Sequence, residues 1–430
     1  MSEDKLWTRD YILLIIASLG SAFLVSFFLN TLPLYAEQMS GKAAYAGLMT
    51  TVYSIAALAT RPVVGVACEH VRKVRLVIIG LVVMTSVCFS YMAAGTLFAL
   101  LLLRAVHGIG FGIKSTTSGV VAAEIIPKSR FAEGIGIYGL YLPVANAIGP
   151  ALGLFIIGSG GTAGFRKLFV LAGIIGMISI IVMLNLKYGK EESRQPRRSQ
   201  QEKTKLNEAE RKALPKTICG FEFGVVYPSI VLVLMYFGYS AIASFLPSLG
   251  VSRGLEGIGL FYTIGAAALF LSRLIYSKLV KRFGYNLFMI MSLLLFAVAL
   301  IVIAFAKSIV IMYIMSVLYG IAMGIVPMVV NTQVLERCSS KRSGTAMAAY
   351  TSSMDIGIGV GSIALGIIAD ATSYATIFVI AGVCSLLAAA VYCLTVVRDN
   401  NAYIEKINDI NQQLNNIKEG RNESGQPTDN

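Results

Sequence analysis

Twelve mostly apolar stretches follow one another along the chain, beginning near Tyr11, Ala43, Val74, Leu97, Glu133, Phe165, Val225, Gly257, Tyr285, Val310, Gly344 and Tyr374. Each is about 20 residues long, which fits a helix crossing a bilayer, where the backbone must close its hydrogen bonds within the segment because no water is available. One polar stretch interrupts the series. Residues 187–216, KYGKEESRQPRRSQQEKTKLNEAERKALPK, contain no run of lipid length and divide the spans into six and six. The pattern predicts an all-α membrane protein of twelve transmembrane helices in two six-helix halves. Residues 1–186 form the first half, 187–222 a linker, 223–397 the second half and 398–430 a polar tail. The first run, after MSEDKLWTRD, is too long for the core of a signal peptide and no small-residue cleavage site follows it, so it is expected to stay in place.

Composition agrees: 56% of the 430 residues are hydrophobic, 14% are charged and the mean hydropathy is +0.73, well beyond the balance of a soluble domain. The formal net charge of +13 would suggest nucleic acid in a soluble protein, but its placement argues otherwise. With the N-terminus inside, 27 Lys and Arg fall on the inner side and five on the outer side, with Arg61, Arg104, Lys114 and Arg273 within or at the ends of spans. That asymmetry follows the positive-inside rule and predicts an inner or plasma membrane protein with both termini cytoplasmic. Anionic lipid headgroups account for the basic surplus, and no nucleic-acid partner is expected. The six cysteines are scattered without metal-site spacing. Neither a metal nor a cofactor is expected, and a monomer is expected.

The two halves repeat. Adding 212 takes Gly47 to Gly259, Arg61 to Arg273, Gly108 to Gly320, Gly112 to Gly324, Glu124 to Glu336, Arg130 to Arg342 and Gly149 to Gly361. Six spans is an even number, so the repeats cross the membrane in the same direction, the arrangement of one large transporter class. Three motifs carry a family resemblance. RPVVGVACEHVRKVR resembles the loop pattern G-x-x-x-D-x-x-G-R-K-R, with Gly65 first, Glu69 in the acidic place and Arg72 where the second glycine would stand. RAVHGIGFG resembles R-x-x-Q-G-x-G, with His107 in the glutamine place. ANAIGPALGL resembles G-x-x-x-G-P-x-x-G-G, matching at Gly149, Pro150 and Gly153 and departing at Ala145 and Leu154. The chain therefore resembles the major facilitator superfamily over nearly its whole length, and the third motif is associated with that family's exporters. The resemblance implies twelve helices, alternating access and proton-coupled efflux, without enzymatic activity.

The fourth span places Arg104, His107, Phe111, Ser115 and Ser118 within about 60° on one face, with Lys114 about 80° away. Gly108 and Gly112, and on the fifth span Gly149, Pro150 and Gly153, form small-residue ridges suited to helix packing. A cation at the centre of a span costs roughly 2.5 to 3.5 kcal/mol on insertion scales, so these cations should face water or a partner. Asp355 is the one acid clear of both span ends and is the expected proton carrier, with Arg104 assisting. An alternative is an ion pair of Asp355 with Lys114 or Arg104. Substrate-cavity candidates are His107, Phe111, Lys114, Ser115, Ser118, Ser26, Asn30, Asn146, Tyr236, Tyr239, Ser240 and Thr351. Glu69, Arg72, Arg75, Glu124, Arg130, Arg273, Glu336 and Arg342 are expected to form a cytoplasmic gate. The sequence thus predicts a proton-coupled exporter of small amphipathic organic compounds. The alternatives are a carrier of anionic or zwitterionic metabolites, with uptake as a possible direction, and a non-transporting sensor.

Overall fold

The computed structural model describes residues 5–158, 161–188, 217–218, 221–339 and 342–397, with isolated helical residues between 404 and 412. Most of the linker and tail assigned from sequence lie outside these residues, as does the side chain of Glu69. The first half consists of α1 (Arg9–Ser40), α2 (Ala43–His70), α3 (Lys73–Ser90), α4 (Leu97–Ile125), α5 (Phe131–Tyr138), α6 (Tyr141–Ile157) and α7 (Gly161–Leu184). The second consists of α8 (Phe223–Ser252), α9 (Leu260–Phe283), α10 (Tyr285–Phe305), α11 (Ile309–Glu336), α12 (Ser343–Ala371) and α13 (Tyr374–Val391), which runs on into a wider turn at Tyr392–Val397. A small antiparallel pair, β1 (Thr217–Ile218) and β2 (Phe221–Glu222), leads into α8.

Helix ends follow local chemistry. Thr8, Thr96, Ser308 and Ser373 each accept a first-turn amide with a side-chain oxygen, at α1, α4, α11 and α13. Gly41 ends α1 with a φ of 70°, a left-handed conformation that a residue without Cβ adopts at no steric cost. Among the described residues, ten helices are long and apolar enough to span a membrane, and two are shorter, Tyr141–Ile157 and Leu260–Ile275. The fifth expected span is divided because Pro143 has no N–H to offer the carbonyl of Gly139 and its ring crowds that carbonyl. The helix breaks at Gly139 and Leu140, leaving α5 and α6 in series. The eighth runs as one helix, α9, from Leu260 to Phe283. Large apolar side chains such as Phe98, Phe155, Phe305 and Leu394 point outward, where a bilayer would receive them.

The repeat holds at atomic level. A Cβ on Gly108 would fall 2.4 Å from the carbonyl oxygen of Tyr53 and 3.0 Å from Cβ of Ala56; one on Gly320 would fall 2.0 Å from the carbonyl oxygen of Gly265 and 2.8 Å from Cβ of Ala268. Gly112 abuts Ala57 and Thr60, and Gly324 abuts Leu269 and Ser272. All four pairings differ by 212 on both sides. Arg104 Nε donates to the carbonyl of Met49 at 3.4 Å, and Ser316 Oγ donates to the carbonyl of Phe261, the same step again.

The halves meet through α2 with α12, α6 with α9 and α1 with α8. Their bonds cluster from mid-depth to the face where α1 ends. Asp370 at the end of α12 accepts the first two amides of α2, from Ala43 at 2.6 Å and Ala44 at 2.9 Å. Glu37 accepts from Ser248 Oγ at 2.5 Å and from the Tyr374 hydroxyl. Ser244 donates to Thr50 at 2.9 Å, Thr51 to the carbonyl of Gly359 at 2.6 Å and Thr263 to that of Ala147 at 3.3 Å. Toward the other face, where α1 begins and the basic residues gather, α4, α5 and α11 make no extended contact with the opposing half among the described residues.

Candidate functional site

At mid-depth, Arg61 of α2 and Asp355 of α12 form an ion pair across the halves, Nη2 to Oδ2 at 2.8 Å, with their side chains 21% and 17% exposed. Antiparallel packing of α2 on α12 produces this register, with Gly47 on the backbone of Ser362 and Thr51 bonded to Gly359. Arg61 Nε and Asp355 Oδ2 are buried without a hydrogen bond of good geometry. The partner of Asp355 is thus neither Lys114 nor Arg104, the two named in the alternative ion-pair reading. Both of those extend from α4 into the first bundle, whereas Arg61 alone projects from the helix that packs on α12.

Arg104 is fully buried with its guanidinium carbon 4.2 Å over the Tyr53 ring, a cation–π contact. Its two terminal nitrogens have no hydrogen-bond partner. His107 is fully buried as well, with Nδ1 3.3 Å from the Tyr91 hydroxyl and its ring edge-on to Phe28 and Tyr53. Phe111 stacks on Tyr53. His107 is therefore enclosed by the first half and is not on a cavity wall. Lys114, 1% exposed, points its ammonium at the Tyr141 ring, 4.7 Å from the centroid. Tyr141 is the first residue after the break between α5 and α6, so that break sets what covers the lysine.

The remaining cavity candidates divide. Ser26 donates to the carbonyl of Ala145 at 2.9 Å, directly against Gly149, and so joins α1 to α6. Gly153 rests on Thr31 and Phe27, and Pro150 is buried beside it. Asn30 is buried with Oδ1 unbonded, Asn146 is half-buried, Ser115 Oγ is unbonded, and Ser118 donates to the carbonyl of Ser115 at 3.4 Å. In the second half Ser240 is buried, bonds to the carbonyl of Phe237 and packs on Gly361, whereas Thr351 bonds to carbonyls one turn back. Tyr236 meets Tyr239 edge-on, and Tyr239 stacks on Tyr319 at 6.3 Å with an interplanar angle of 6°. Tyr53, Tyr141 and Tyr236 lie within Coulombic reach of the central pair, the first two of Arg61 and the first and third of Asp355. Ser26, Ser240 and His107 are engaged in packing contacts, and the Arg61–Asp355 pair lies between the halves with these tyrosines within Coulombic reach.

On the basic face, Lys73 and Glu124 form an ion pair at 3.1 Å, Glu124 accepts from the Tyr188 hydroxyl at 2.5 Å, and Arg130 makes a two-pronged contact with Glu133 at 2.8 and 2.9 Å. Arg273 donates to the carbonyl of Gly324 at 3.3 Å, and Arg342 reaches Glu222 at 3.5 Å. Glu222 also accepts from Ser339, which anchors the start of α8 to the α11–α12 connection. Burial, with the nearby Glu222 charge, pushes the Cys338 thiol up to about 11. Arg72, Arg75 and Glu336 are exposed. Each contact named here stays within one half.

Arg61 escaped the sequence reading of the site. Its signals, a place within or at the end of a lipid-length run and its repeat partner Arg273, are both visible in the sequence.

A family model described as the Major Facilitator Superfamily matches residues 14–256 and 228–422. The staphylopine export protein of Staphylococcus aureus (strain Mu50 / ATCC 700699) is 21% identical over 382 residues, covering 87% of this chain and 92% of that protein. The quinolone resistance protein NorA of Staphylococcus aureus is 21% identical over 364 residues, covering 82% and 88%. Among solved structures, a bacterial homolog of the human lysosomal transporter Spinster, in an inward-facing and unoccupied conformation, superposes with a TM-score of 0.70 at 17% identity, covering 94% of this chain and 98% of that one. A POT family transporter in complex with 5-aminolevulinic acid gives 0.74 at 12% identity, covering 93% and 98%.

Proposed function

We propose that this chain, which belongs to the Major Facilitator Superfamily, is a proton-coupled exporter of small organic compounds working by alternating access in the plasma membrane. It is a transporter and not an enzyme, as are the relatives it matches. With the basic face taken as cytoplasmic, the described arrangement is shut toward the outside by Asp370, Glu37 and their partners, and parted toward the cytoplasm. The observation that carries the reading is the Arg61–Asp355 pair: a single acid at mid-depth, partly exposed, joining the two bodies that must rock. Charged, Asp355 holds α12 to α2. Protonated, it loses that attraction and the halves separate more easily. Arg104, tied to the same place through Tyr53, fixes the ring beside the pair. The names of the S. aureus relatives, one an export protein and one a resistance protein, support export as the direction.

The test is a proteoliposome assay with a pH-sensitive dye inside and a panel of small organic solutes added under an imposed pH gradient. Wild-type protein should show solute-dependent proton movement, and Asp355→Asn should abolish it while leaving a folded monodisperse protein. Coupled movement that persists unchanged in Asp355→Asn overturns the assignment of the carrier.

A further inference from the structure

The central ion pair is unfinished. A settled arginine–carboxylate pair uses two parallel N–H···O bonds and has its remaining polar atoms satisfied; here one contact of 2.8 Å joins the groups, and Arg61 Nε is buried without a partner. The two side chains are also accessible at this depth, at 21% and 17% exposed, against 0% for Arg104 and 1% for Lys114, while Arg273, the repeat partner of Arg61, is half-buried and donates to the carbonyl of Gly324. We propose that the transported compound is a zwitterion that inserts between Arg61 and Asp355, its anionic group taken by Arg61 and its cationic group by Asp355.

The reasoning is one of charge balance. Within Coulombic reach of the pair are Tyr53 from α2, Tyr141 from α6 and Tyr236 from α8. Behind these rings lie Arg104, over Tyr53, Lys114, over Tyr141, and Arg273, within Coulombic reach of Tyr236. A purely cationic compound that took Asp355 would leave Arg61 unpaired among those three cations. A purely anionic compound that took Arg61 would leave Asp355 without its partner. Each leaves an uncompensated charge at a depth where that is strongly unfavourable. A compound with both charges replaces both partners at once, and the surplus of cations tolerates a second acidic group on it. Tyr53 is already engaged by Arg104 and Phe111, and the half-buried Tyr141 and Tyr236 rings suit an apolar or aromatic body between the charged ends. Because the cationic group and a proton compete for the same carboxylate, binding of one excludes the other, which is the sign of exchange. This inference rests on the exporter reading above for its coupling, but not for its binding pattern.

The experiment uses full-length protein in nanodiscs and matched triples of probes that share one body: free amino acids with aromatic, branched and acidic side chains, their N-acetyl forms and their amides. Affinity is read by calorimetry or thermophoresis. Wild-type protein should bind at least one free amino acid about tenfold or more tightly than either of its capped forms, a difference of about 1.4 kcal/mol. Asp355→Asn should remove the discrimination against the N-acetyl form, Arg61→Gln that against the amide, and Asp355→Glu should restore part of the first. Equal binding of capped and free forms, uniform weakening by both substitutions, or no binding in any triple overturns the proposal. Gradient-driven solute flux without the charge pattern leaves the exporter reading standing and removes the zwitterion. The charge pattern without gradient-driven flux does the reverse.

Discussion

Where α4 carries Arg104, His107 and Lys114, α11 carries Ser316, Tyr319 and Val326 at positions 212 residues later. The neighbours of the two helices nevertheless correspond pair by pair: Gly108 and Gly320 each press on the helix beside them, and Arg104 and Ser316 each donate to the equivalent carbonyl, of Met49 and of Phe261. The frame is held by residues that lack side chains, so the side chains beside them are free to differ. In the first half that freedom is used to bury cations over tyrosine rings. In the second it yields a stack of Phe261, Tyr319 and Tyr239, and the acid that answers Arg61 stands on a different helix.

The most drastic way to break the correspondence is to fill the shared frame. Gly108→Val and Gly320→Val each drive a side chain into a carbonyl oxygen of the adjacent helix, 2.4 and 2.0 Å from the Cβ position. Both should lose most folded yield in fluorescence-detected size exclusion, by a destabilisation at or beyond about 1 to 3 kcal/mol. Loss in only one of them would mean the halves are not mechanically equivalent. A sharper contrast comes from giving the first half the second half's residue. Lys114→Val removes a buried cation with no acid beside it, so thermal stability should hold or rise, while solute-driven proton flux falls tenfold or more. A fall in melting temperature would instead make Lys114 part of the frame. The smallest effect concerns the seam that joins the halves. Asp370→Ala removes the cap from α2 and should cost the contact between the halves at the face where α1 ends about 1 kcal/mol, read as a broadened spin-label distance between α2 and α12 on that face. An unchanged distribution would show that the cap does not help hold the face shut.

The frame was legible in the sequence because glycine spacing and span length are properties of single segments. The 212-residue step, the six-plus-six division and the packing roles of Gly108, Gly112, Gly149 and Gly153 all follow from such local patterns. The division of the fifth span was less so: Pro143 and Gly139 were present, but Pro33 and Pro327 sit inside helices that stay unbroken. The site was only half legible. Asp355 stood out as a lone acid, whereas its partner depends on how α2 lies against α12, a relation between segments nearly 300 positions apart. His107 and Arg104 shared the polar stripe that suggested a cavity wall, yet that stripe turns toward Tyr53 and Tyr91 inside the bundle. Periodicity tells which residues share a face, but not which neighbour that face meets.

Asp370 belongs to one half and the amides it receives, those of Ala43 and Ala44, belong to the other. The opening turn of α2 is therefore complete only while the two bodies touch. Parting them exposes two N–H groups that water must then solvate, so amide hydrogen exchange at this one turn would record any separation of the halves at the face where α1 ends.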